Sequence, residues 1–72
     1  MYVVNYYDTK SGKANSDRVS AKTKEDAFIL FCTGLSKSQA NVGSFCFHDY
    51  EYAELWFKEW FPHLTGLNIV KE

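Results

Sequence analysis

Four side chains have the types that covalent or metal chemistry needs at neutral pH: Cys32, Cys46, His48 and His63. A thiol and an imidazole are the parts of an activated nucleophile and its base, and Cys32 with His48 or His63 supplies such a pairing on paper. Nothing in the sequence brings thiol and imidazole together or lowers the thiol pKa, which the reaction requires. The same four residues lack the closely paired ligands of zinc-finger spacing, so no metal site is read from them. His48, Asp49 and Glu51 offer an acid–base cluster, yet they read more simply as a strand end followed by the acidic first turn of a helix. The chain is therefore expected to be non-catalytic, with no cofactor and no metal.

The elements that must position any site fit one small domain over residues 1–72. That length is near the size at which a single apolar core only just offsets chain entropy, so every large side chain is first presumed structural. A content of 46% hydrophobic and 18% aromatic residues argues for a folded chain rather than a disordered one. No apolar run is long enough to cross a bilayer, and "MYVVNYYDTKSGK" lacks the basic and apolar regions of a signal peptide, which leads us to expect a cytoplasmic location and no membrane partner. With only two cysteines, reduced and buried thiols are expected, a single disulfide being the alternative.

The net charge of −1 hides an uneven distribution. Lys10, Lys13, Arg18, Lys22 and Lys24 face a single acid, Asp17, across residues 10–24. Asp49, Glu51, Glu54 and Glu59 face only Lys58 across residues 49–59. The molecule reads as bipolar.

Along the chain, "MYVVNYYD" is a strand apolar on both sides, suited to a central position, with Tyr2, Val4 and Tyr6 opposing Val3, Asn5 and Tyr7. "DTKSGK" places Asp8 and Gly12 as a hairpin turn needs them. "ANSDRVSAK" returns as a polar edge strand, with Val19 and Ala21 inward and Arg18, Ser20 and Lys22 outward. Thr23 caps a first helix of about ten residues, with Ala27, Leu30, Phe31 and Gly34 on one face and Gly34 as its left-handed terminator. "VGSFCFHDY", residues 42–50, alternates as a third strand. From Glu51 a second, amphipathic helix sets Ala53, Trp56, Phe57, Trp60, Phe61 and Leu64 on one arc and Glu51, Glu54, Lys58 and Glu59 on the other. Pro62 stops it, Gly66 ends what remains, and "LNIVKE" closes the chain as a short strand. The fold class is α+β: an antiparallel sheet of about four strands in the order β-β-α-β-α-β, packed by two helices.

Residues 47–64 hold seven of the thirteen aromatics, most of which a small core needs. Leu55 falls on the acidic arc and Tyr52 at the edge of the apolar stripe, so neither fits that core. Glu51, Tyr52, Glu54, Leu55, Trp56 and Glu59 together have the composition of a docking patch for a protein. Ile29 and Cys32, off the first helix's expected core face, offer a homodimer contact. The alternative function is nucleic-acid binding through Lys10, Lys13, Arg18, Lys22 and Lys24, although these lysines also suit an edge strand protected from aggregation.

"MYVVNY" resembles the first conserved strand of an RNA-recognition motif and "FCFHDY" part of its aromatic strand. The resemblance covers twelve residues and implies Tyr2, Phe45 and Phe47 as base-stacking side chains. The chain departs from that family where Gly43 and Ser44 replace the basic-Gly start, where His48 replaces an aliphatic, and where a hairpin precedes the first helix. Core packing accounts for the same aromatics.

In scale and layout, though in no motif, the chain is also similar to accessory proteins of bacteriophages and other mobile elements, including anti-CRISPR proteins. That resemblance implies a small inhibitor acting by binding, with a nucleic-acid-handling complex as partner.

Overall fold

The computed structural model describes residues 1–38 and 49–72. Five elements are seen in the order β1 (Tyr2–Asp8), β2 (Lys13–Val19), α1 (Lys24–Ser38), α2 (Tyr50–Trp60) and β3 (Leu64–Lys71). They form a small, compact α+β unit whose antiparallel three-stranded sheet has the order β2-β1-β3. The strand expected over residues 42–50 lies outside the described residues except at its end, where Asp49 caps α2 and Tyr50 begins it.

β1 is central because it is apolar enough to be covered, and the turn after it returns the chain alongside. Asp8 Oδ1 accepts hydrogen bonds from the N–H of Lys10 (2.9 Å) and Ser11 (3.3 Å), and the Gly12 N–H donates to Asp8 O at 2.8 Å. Gly12 closes this four-residue loop at φ +71°. Burial pushes the Asp8 carboxyl up, but those N–H donors and nearby His63 outweigh it and hold the pKa below its ordinary value. Thr9 ties the turn to β3, its N–H and Oγ1 both donating to His63 O at 2.9 and 3.0 Å.

Tyr2, Val4 and Tyr6 face the helices, opposite Val19, Asp17 and Asn15 of β2 in register. The helix-facing side of β2 is thus polar apart from Val19, and the strand stays outside the core; Tyr6 Oη donates to Asp17 Oδ2 at 3.2 Å. Ala21 lies beyond the strand's end rather than on its inward face. The other sheet face carries Val3, Asn5 and Tyr7, with Ser16 Oγ donating to Asn5 Oδ1 at 2.6 Å.

β3 begins three residues earlier than the sequence suggests, and Gly66 does not end a helix. It sits inside the strand at φ +65°, where the register against β1 shifts between Asn5 and Tyr7. The extra residue changes the alternation, so Leu64 opposite Asp8 and Ile69 opposite Val4 both face the helices despite their odd spacing. A bulge that switches parity is how one strand presents Leu64, Leu67 and Ile69 to the same core.

Thr23 caps α1 as expected, its Oγ1 accepting from the Asp26 N–H at 3.1 Å. The helix does not stop at Gly34, which has no positive φ, but runs 15 residues to Ser38. Past that point the hydroxyls bond to the helix itself, Thr33 Oγ1 to Ile29 O and Ser36 Oγ to Thr33 O, both at 2.9 Å. Its buried face is also rotated: Ala27, Phe28, Phe31 and Cys32 are inside, while Leu30 is 47% exposed.

The two glycines predict opposite outcomes. Gly34→Ala should stabilise by about 0.5–1 kcal/mol, because the site is helical and an added Cβ meets nothing within 4 Å. Gly66→Ala should destabilise by about 1–2 kcal/mol, because a Cβ is strained in the left-handed region. Thermal unfolding of both variants checks the pair; a gain at Gly66 would contradict the bulge.

α2 is capped by Asp49, whose side chain accepts from the Glu51 N–H at 3.1 Å, and ends at Phe61, whose N–H donates to Phe57 O at 2.8 Å ahead of Pro62. Val4, Phe28, Phe31, Phe57, Phe61 and Leu64 form the centre of the core between sheet and helices. The helices meet over small side chains: Cys32 and Ala53 are both fully buried, and the Cys32 thiol points at Ala53 O at 3.9 Å.

Candidate protein-binding face

On α2 the core face is fixed by Ala53, Trp56 and Phe57. At 100° per residue, Glu51, Leu55 and Lys58 lie opposite it, with Glu59 and then Tyr52 toward the Trp56 border. Leu55 is 66% and Tyr52 54% exposed, and Glu51 and Glu59 are exposed beside them. A strip that is acidic but for Lys58, with Leu55 within it and Tyr52 at its border, is therefore exposed along the helix. Glu54 is half-buried and belongs to the side near Tyr50, whose phenol is pushed up in pKa by burial and then by the charges of Glu54 and Glu25.

Trp56 does not lie on this surface. It is 5% exposed and packs on Phe61 with ring centroids 5.4 Å apart, so it belongs to the core. Trp60, which periodicity assigns to the core arc, is instead 50% exposed. It occupies the last turn before Pro62. The Trp-Phe-Pro order "WFP" is the available signal that such a residue stands at a helix end.

The basic residues do not form one ribbon. Lys10 is in the hairpin turn and Lys13 starts β2; Lys22 and Lys24 sit at the other end, Lys24 already in the first turn of α1. The two groups are about 20 Å apart along the strand. Arg18, between them, pairs its Nε with Glu72 Oε2 at 3.1 Å across the open sheet face, which offsets its charge.

Cys32 cannot act as the expected surface contact or as a nucleophile in this fold. It is fully buried, and burial pushes its thiol up to about 12. Ile29 is half-buried against the core, so of the two residues of the expected homodimer contact only Ile29 is partly exposed. In a Cys46→Ser variant at pH 8, Cys32 should be ionised to on the order of one part in ten thousand and resist thiol reagents until the chain unfolds. Labelling of the native protein at the rate of a free thiol would contradict this burial. Cys46 and His48 lie outside the described residues. His63 stands beside Asp8 and 5.8 Å from the Phe61 ring, at the hairpin end of β3.

Of the acid–base cluster drawn through His48, Asp49 and Glu51, Asp49 is the helix cap of α2 and Glu51 is exposed in its first turn. Tyr2, which the RNA-recognition resemblance makes a base-stacking residue, is 8% exposed and faces the helices; Phe45 and Phe47 lie outside the described residues. Among the described residues no group of three His, Cys, Asp or Glu side chains could hold a metal ion, and no helix is long and apolar enough to cross a membrane.

Among the clefts on the surface are two that border the helices. One of about 260 Å³ lies between the starts of the two helices and β3, lined by Lys24, Glu25, Phe28, Tyr50 and Leu67. The other, of about 440 Å³, lies between β2 and α1.

Comparison of the chain with protein-family models, with curated proteins and with solved structures gave no match.

Proposed function

We propose that this protein is a small non-catalytic binding module that engages another protein through the outer face of α2. The carrying observation is the exposure of Leu55 and Tyr52 within an acidic strip of a helix whose opposite face already satisfies the core. Aromatic and aliphatic anchors supply binding energy, and the carboxylates of Glu51 and Glu59 around them select a basic rim. The chemistry of the partner follows: an apolar pocket bordered by Lys or Arg, as on proteins that handle nucleic acid. Occupying such a surface would block it, which fits an inhibitor or accessory protein of the bacteriophage type, anti-CRISPR proteins included. Burial of Cys32 favours the non-catalytic reading.

The test is affinity capture of the tagged chain from a candidate host lysate with and without nuclease at two salt concentrations. A discrete protein retained after nuclease, and lost when Tyr52 and Leu55 are made polar, is the expected result. Recovery of nucleic acid alone, released by salt, would transfer the function to Lys10, Lys13, Arg18, Lys22 and Lys24.

A further inference from the structure

β2 is an edge of the sheet formed by the described residues, and its side chains from 13 to 18 are all exposed. An edge strand is a template for one further strand. Beside this one lies the larger of the clefts described, lined by Tyr6, Val19, Phe31 and Leu35, by Leu30 and Gly34 on the α1 side, and by Asp17 and Arg18 on the β2 side, where Asp17 accepts from the Tyr6 hydroxyl and Arg18 pairs with the Glu72 carboxylate. Leu30 is exposed there, and the space a Cβ would take at Gly34 is open, so the wall admits apolar side chains from outside. Lys10 and Lys13 stand at one end of the strand and Lys22 beyond the other, while Lys24 lines the other cleft beside β3; among the described residues none of these lysines is in a salt bridge.

We infer that this edge receives an extended acidic peptide segment of a partner protein as an added strand. Backbone pairing with β2 sets its direction, alternate apolar side chains enter the cleft beside Leu30 and Gly34, and carboxylates toward its ends meet Lys10 and Lys13 at one end and Lys22 at the other. The seven residues of β2 span about 20 Å, which suits an extended segment of about the same length. Like charge disfavours a second copy of β2 in the same place. Nucleic acid would use the lysines but leave the apolar cleft unfilled. The site is separate from the outer face of α2 and stands without it.

The experiment is an amide NMR titration of the full chain with three probes: a synthetic peptide of alternating valine and glutamate, its lysine-for-glutamate counterpart, and a single-stranded oligonucleotide. The glutamate peptide should shift the amides of residues 15–19 and 30–35, and do so less at high salt. Gly34→Leu, which fills the cleft from a helical position with room for it, should weaken that binding about tenfold while keeping the native spectrum. Unchanged affinity in Gly34→Leu, equal shifts with the lysine peptide, or shifts with the oligonucleotide alone would each overturn the inference. Tyr52→Gln with Leu55→Gln should leave this titration unaltered, so the two interfaces fail or succeed separately.

Discussion

Phe28→Ala is expected to remove about 3–5 kcal/mol of stability, the largest effect of any single truncation considered. Phe28 is almost wholly buried where α1, α2 and β3 converge. Its ring lies 5.2 Å from that of Tyr50 and 5.6 Å, edge-on, from that of Phe57, so its loss opens a void that both helices border. A domain of this length has a total stability of only about 4–11 kcal/mol. The variant should therefore be partly or wholly unfolded at room temperature, whereas Phe28→Leu, which refills most of the volume, should fold. Urea denaturation followed by circular dichroism measures both; a cost below about 1 kcal/mol for the alanine would mean that Phe28 does not hold the helices together.

The second large effect concerns binding. Tyr52→Gln with Leu55→Gln should leave the unfolding midpoint almost unchanged, because both side chains are exposed and glutamine is a good helix former. Affinity for the partner should fall at least 100-fold, since each truncated anchor at the centre of an interface is worth about 2 kcal/mol. Trp56→Ala should behave differently, losing stability first, because that ring is in the core. A titration of the purified partner against the three proteins separates the effects; equal affinity for wild type and the double variant would remove Tyr52 and Leu55 from the interface.

Local chemistry made part of this fold legible. Asp8 and Gly12 announce the hairpin, Thr23 and the acids after it announce α1, and Pro62 announces the end of α2. Each of these acts through backbone within a few residues of itself. The misread features are those decided by distant contacts. Gly34 looks like a terminator, but it adopts no positive φ and the helix runs on to Ser38. The buried face of α1 turns away from Leu30 to Phe28 and Cys32, where α2 meets it at Ala53. Gly66 changes the alternation of β3, which a strict period of two cannot anticipate. On the candidate face, Tyr52 and Leu55 were visible because they fall off the apolar stripe. Trp56, expected both on the apolar arc and in the patch, is in the core, whereas Trp60, expected on the same arc, is exposed at the helix end, which only tertiary packing decides.

Hydrogen–deuterium exchange on the captured complex tests the α2 interface most directly. Partner binding should slow exchange across residues 50–60, with the change lost when Tyr52 and Leu55 are replaced by glutamine. Protection confined to residues 10–24, with α2 exchanging as in the free protein, would contradict the proposal and place the interface on the basic hairpin.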